Sequence, residues 1–185
     1  MWEYLQTKQL DARFLLVAGY LWDKVAGKNL VDLDCGSARL LKYLPDTWAS
    51  YFGNDIDEGF FPKHSRAVFR AISDDQVLQE LEEKPCDILL VFGHGADSKG
   101  NNVHESKTLS KSIIEIVKVK QPEIIVLEIW WRFERDHSVL RNLITNIQEI
   151  GEYRAEWLVK LNAVFTNKWL HERLIIILEK EGNKK

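Results

Sequence analysis

The sequence predicts a three-layer αβα fold, in which a mostly parallel β-sheet lies between helices and closes with an antiparallel strand at its C-terminal end. Three observations point there. Five short apolar runs rich in Val, Ile, Leu and Phe follow one another between Asn29 and Ile129, each bounded by turn residues as buried strands are. Helical patterns stand between several of them, and such alternation implies parallel strands with helices on both faces. After the last helix the pattern changes to two strands joined by a loop with no helix between, which implies an antiparallel pair.

Each element has its own warrant. Asp11 to Ala26 carries Phe14, Ala18, Leu21 and Val25 on one helical stripe, with Asp11 placed to cap the start and Gly27 to end it. The five strands are expected at Asn29–Asp34, Ser50–Asn54, Ala67–Ile72, Asp87–Phe92 and Glu123–Ile129. Helices are expected at Ala38–Leu44, stopped by Pro45, at Asp75–Glu83, and at Ser106–Lys120 with Leu109, Ile113 and Ile116 on one side. The stretch DEGFFPKHSR between the second and third strands has little helical pattern and is interrupted by Pro62, so a turn or very short helix is expected there. Asp136–Ile150 reads as a helix ended by Gly151, and Tyr153–Lys160 and Arg173–Glu179 as the closing strands. GHGADSKGNN, at 93 to 102, reads as a loop, and the terminal EGNKK as a solvated end.

A chain of 185 residues fits a single domain, 1–185, and apolar and charged shares of 45% and 29% are those of a globular protein with a core. The net charge of -3 offers no general attraction for phosphate backbones or anionic membranes, so nucleic acid is disfavoured as a partner and a local basic patch would be needed to bind it. Cys35 and Cys86 fit no CxxC or Cys/His zinc spacing, and His64, His104, His137 and His171 are scattered. The start MWEYLQTKQLDARF lacks the order of a secretory signal and no apolar run is long enough for a bilayer, which together predict a cytoplasmic location and no membrane partner.

The chemistry concentrates in LVDLDCGSARLL, residues 30 to 41. In an open α/β sheet the ligand crevice lies beyond the carboxyl ends of the strands, and the first strand-to-helix turn is the usual cofactor cradle. Gly36 falls in that turn, where the lack of a side chain lets a ligand approach the backbone, and a helix starting near Ala38 is expected to point free N–H groups toward it. An acid buried before such a turn is costly without a donor or cation beside it, and a ligand carrying both would explain Asp32. Asp34 has a plainer reading as a cap of the following helix.

This stretch resembles the first motif of the class I S-adenosylmethionine-dependent methyltransferases, a hydrophobic pair, an acid, a hydrophobic residue, then Gly-Cys-Gly-Ser/Thr-Gly. Asp32 matches the motif acid, Cys35 and Gly36 its Cys-Gly and Ser37 its hydroxyl, whereas Asp34 and Ala38 replace the outer glycines. The resemblance implies a Rossmann-like fold, S-adenosylmethionine as cofactor, and Asp32 facing the ammonium of its methionyl end. YFGNDID places Asp55 at the end of the second strand, where the family holds the ribose hydroxyls with an acid, a task for which two acceptor oxygens suit two donors. Ile56 would pack on the adenine by the same resemblance, and AISDD offers Asp74 or Asp75 for the adenine amino group, with a helix N-cap as their alternative.

His94, after the fourth strand, is the candidate catalytic residue, since imidazole there could take a proton from an attacking hydroxyl or amine; an exposed loop histidine is its plainer reading. Trp130 and Trp131 would wall an acceptor pocket or simply pack. The expected function is methyl transfer to a small-molecule acceptor, because the Asn-Pro-Pro-aromatic motif of adenine or glutamine methylation is absent and no added recognition domain is present. A nicotinamide oxidoreductase would need GxGxxG, of which only Gly36 is present. The remaining alternative is a non-catalytic module on the same fold, motivated by Asp34 and Ala38.

Overall fold

The computed structural model describes residues 11–94, 103–130, 138–164 and 170–182. Helix α1 (Asp11–Leu21) leads into strand β1 (Asn29–Leu33), and β2 (Ser50–Asp55), β3 (Ala67–Ala71), α2 (Asp74–Glu80), β4 (Ile88–His94), α3 (Val103–Lys120), β5 (Ile124–Trp130), α4 (Ser138–Ile150), β6 (Tyr153–Val164) and β7 (Leu170–Lys180) follow. The strands form a seven-stranded sheet in the order β3-β2-β1-β4-β5-β7-β6. β1 to β5 run parallel, while β7 is antiparallel to both β5 and β6. Every expected strand is present with its ends shifted by a few residues, and the antiparallel closing pair is as the pattern required.

Two cores hold the layers together. On one face, Val31, Leu33, Leu89, Val91, Ile125 and Leu127 pack with Val77 and Leu81 at α2, Ile113 and Ile116 of α3, and Leu143 and Ile147 of α4. On the other, Leu30, Leu90, Val126 and Ile177 meet Phe14, Val17, Ala18 and Leu21 of α1. β1 and β4, in the middle, have apolar residues pointing both ways, the mark of a parallel strand covered on each side. β3 lies at the edge and is half open, with Val68 40% exposed.

Two crossovers are reduced. The connection from β2 to β3 holds only a three-residue 3-10 turn, Glu58–Phe60, as the interrupted pattern predicted. The expected helix Ala38–Leu44 is corrected to a 3-10 turn at Arg39–Lys42. Its start explains why: Ala38 sits in the left-handed region at φ 46°, no side chain caps the turn, and Pro45 follows too soon for the chain to recover an α-helical register. Asp34, four residues earlier, is therefore not a helix cap.

Candidate functional site

The chain reverses direction of strand order between β1 and β4, so the crevice of this sheet opens beyond the carboxyl ends of β1, β2 and β4. Asp32 is the penultimate residue of β1 and pairs in register with Gly53 of β2 and Leu90 of β4. It is 2% exposed. The Tyr51 hydroxyl, a diagonal neighbour on β2, donates to its Oδ2, while Oδ1 is sealed from solvent with no hydrogen-bond partner. Burial pushes the Asp32 carboxyl up to about 7, the Tyr51 bond opposes this, Asp34 and Asp55 push further upward, and Arg13 pulls weakly back.

The turn after β1 is built from left-handed residues at alternate positions: Asp34 at φ 52°, Gly36 at 49° and Ala38 at 46°. Only the glycine adopts this without strain, and aspartate is among the more tolerant of the others. The turn's N–H groups are turned inward. Cys35 N–H donates to Asn54 O at 2.8 Å, Gly36 N–H to Asp55 Oδ2 at 2.9 Å and Ala38 N–H to Cys35 O at 2.8 Å. The expectation of free N–H groups facing a ligand is thus corrected for these three: the acid of β2 already occupies the Gly36 donor, and the short 3-10 turn replaces the helix whose first N–H groups would have supplied the rest. What the crevice presents is carboxylate.

Asp55 ends β2 and accepts also from Asp57 N–H through Oδ1 at 3.0 Å, so both its oxygens are oriented by backbone. Each keeps acceptor capacity for a further donor. Ile56 beside it is 80% exposed. Asp74 opens α2 behind Ser73 and accepts from Asn54 Nδ2 at 2.9 Å; burial, followed by Asp55 and Asp75, raises its carboxyl. Cys35 and Ser37 are half-buried in the turn. The Cys35 thiol is pushed upward by burial first and then by Asp32, Asp55 and Asp34, which keeps it protonated and unsuited to nucleophilic work. Asp32, Gly36 and Asp55 thus come together, with Cys35 and Ser37 between them and Asp74 joined through Asn54. His94 ends β4 at the same end of the sheet, and its side chain lies outside the described residues, as do the loop at 95–102 and Trp131.

Three contributors were not foreseen. Tyr51 and Asn54 belong to β2, and the only signal for them was their register against β1, which a single sequence does not show. Asn54 is 1% exposed, its Nδ2 also reaches Ile72 O at 3.3 Å, and its Oδ1 has no partner. The third is an ion pair of α1 with β5: Arg13 Nη1 bridges both oxygens of Glu128 at 2.8 and 2.6 Å, and Glu128 is fully buried.

No protein-family model and no curated protein sequence matches the chain. Solved structures match it closely in shape. The N-methyltransferase NodS from Bradyrhizobium japonicum, in complex with S-adenosyl-L-homocysteine, superposes with a TM-score of 0.63 at 13% identity, over 96% of this chain and 91% of that one. The methyltransferase domain of bacterial CtHen1 gives 0.61 at 14% identity, over 93% of this chain and 100% of that one. The fold is that of the class I methyltransferases. The small RNA methyltransferase HEN1 also matches, at 0.61 and 12% identity, over 92% of this chain and 25% of that one. This last finding corrects the expectation that disfavoured nucleic acid and put a small molecule first. A net charge averages over the whole surface, whereas binding responds to the field at one patch, so a mildly acidic chain on this fold does not argue against an RNA acceptor.

Among the described residues no helix is long and apolar enough to cross a membrane, and no group of three or more His, Cys, Asp or Glu is placed to hold a metal ion.

Proposed function

We propose that this chain is an S-adenosylmethionine-dependent methyltransferase. One observation carries the reading: a carboxylate at the carboxyl end of a central strand, 2% exposed, with one oxygen lacking any partner. A buried polar atom of this kind is expected to find a hydrogen bond, and a cationic donor is what it lacks. The residues present fit the cofactor. Asp32 would hold the ammonium group, Asp55 the ribose hydroxyls, Ile56 one face of the adenine and Asp74 its amino group, while Cys35, Gly36 and Ser37 line the turn. The bound cofactor supplies a methyl group already activated at a sulfonium centre.

The protein's own part is then alignment and exclusion of water, which is why no dense catalytic signature is needed. Asp55 holds the β1 turn through Gly36, and Asn54 holds Asp74, so the two acids that would grip the nucleoside are fixed to each other through β2. His94, on β4, is the candidate to take the proton of the attacking group. A dinucleotide is disfavoured on electrostatic grounds, because a pyrophosphate needs free N–H groups and meets carboxylates here. A non-catalytic module is the second reading, motivated by Asp34 and Ala38. Against it, both positions keep the left-handed backbone that the glycines would have supplied.

Isothermal titration with S-adenosylmethionine, S-adenosylhomocysteine and NAD tests the reading. Saturable binding is expected for the first two and not for NAD, with Asp55→Ala weakening it far more than Asp75→Ala and His94→Ala leaving it nearly unchanged. Folded protein that binds none of them would move the assignment to the non-catalytic module. An acceptor screen then begins with RNA and includes nitrogen acceptors generally.

A further inference from the structure

We infer that Tyr51 is a positioning residue of the ammonium site: its hydroxyl holds Asp32 Oδ2 and leaves Oδ1 as the oxygen offered to the ligand. This rests on the methyltransferase reading and deepens it, because it names what makes the site select ligands that carry an amino-acid end. The geometry comes from register. Leu30 of β1 stands opposite Tyr51 of β2 and Asp32 opposite Gly53, so Asp32 and Tyr51 share a face of the sheet as diagonal neighbours. Gly53 has no side chain to offer the carboxylate, and the donor comes from the diagonal instead. The Tyr51 ring is 1% exposed and packs against Trp48 and Phe69 at centroid distances of 6.2 and 5.8 Å, so the hydroxyl is carried by a ring that two neighbours hold.

One donor on one oxygen is the arrangement that suits a cation site. Had both oxygens carried protein donors, an incoming ammonium would have to displace one of them; with neither satisfied, the buried acid would hold its proton more tightly and offer no charge. Here Oδ2 is bonded and Oδ1 is buried and bare. Burial keeps the Tyr51 phenol protonated well above its ordinary range, so it remains a donor whenever Asp32 is charged. Asp32 also feels Asp34 from its own turn, Asp55 from β2 and Arg13 from α1. Those groups are the same in wild type and in Tyr51→Phe, so a difference between the two proteins reports the hydroxyl.

Titration of wild type and Tyr51→Phe with S-adenosylhomocysteine and with methylthioadenosine, a nucleoside thioether without the amino-acid end, from about pH 5.5 to 8.5 tests this. Phenylalanine keeps the ring between Trp48 and Phe69 and removes one oxygen. In wild type the ratio of the two affinities is expected to favour S-adenosylhomocysteine and to rise with pH as Asp32 loses its proton through about 7. In Tyr51→Phe the ratio at neutral pH should fall about tenfold, as loss of a hydrogen bond to a charged group implies, and its rise should move to higher pH. A tyrosine that only packs would weaken both ligands alike and leave the pH profile in place. That result, or no preference in wild type, overturns the inference and keeps the methyltransferase reading. Should Tyr51→Phe not fold, 3-fluorotyrosine in place of Tyr51 carries the test, since a more acidic phenol of nearly the same shape donates more strongly. The profile should then move to lower pH, and an unmoved profile overturns the inference. If the folded wild type binds neither ligand, both readings fall together.

Discussion

Replacing Asp32 with asparagine should separate the stability of this protein from its ligand binding. In the folded chain without ligand the Asp32 carboxyl holds its proton up to about pH 7, against an ordinary value of 3.8, chiefly because burial disfavours the charge. Between those values the folded state binds one proton more than the unfolded state at this residue, so its contribution to stability is fully present below pH 3.8 and is lost as the pH rises through about 7. At about 1.4 kcal/mol per pH unit, the gap corresponds to a loss of about 4 kcal/mol across that window. Asparagine is neutral at every pH and keeps the shape, and the Tyr51 hydroxyl can turn from donor to acceptor. Asp32→Asn should therefore be far less affected by the rise from pH 4 to pH 8 than wild type, and the two denaturation free energies, measured in urea at half-unit steps, should diverge by about 2 to 4 kcal/mol in favour of the variant at pH 8. The same variant should lose most of its affinity for S-adenosylmethionine. Parallel stability profiles, with the difference constant across the window, would refute the claim that burial of an unpartnered carboxyl governs this position.

Two further outcomes follow from the packing. Arg13→Ala withdraws an ion partner of a fully buried glutamate and should cost about 3 to 5 kcal/mol, whereas the double change Arg13→Met with Glu128→Leu should recover most of it; chemical denaturation of the three proteins decides whether the loss comes from the weakened pairing of the buried charge. Gly53→Ala places a methyl group 2.8 Å from Cys35 Sγ and 3.0 Å from the Phe69 ring, closer than atoms pack, and should cost about 1 to 3 kcal/mol. Adding Cys35→Ala should restore part of this loss in thermal melts, since one of the two clashes is then gone; no restoration would place the strain wholly on Phe69.

The partition between what was legible and what was not follows the range of the interactions. Apolar runs and turn residues report on local backbone and burial, so the strands, the long helices, the antiparallel closure and the reduced crossover after β2 could be read from the sequence. So could the positions of Asp32, Gly36 and Asp55, because the carboxyl ends of strands are where an open sheet places its crevice. The helix expected at Ala38–Leu44 failed because the left-handed Ala38 and the nearby Pro45 leave too few residues for cooperative α-helix, a backbone condition that the apolar spacing of Leu40, Leu41 and Leu44 does not record. Which groups satisfy which was decided only in three dimensions. Tyr51 reaches Asp32, Asn54 reaches Asp74, Arg13 crosses from α1 to Glu128, and Asp55 takes the N–H of Gly36 through pairings 19, 20, 115 and 19 residues apart. Register and packing fix those partners, and among the described residues they leave Asp32 Oδ1 buried without one.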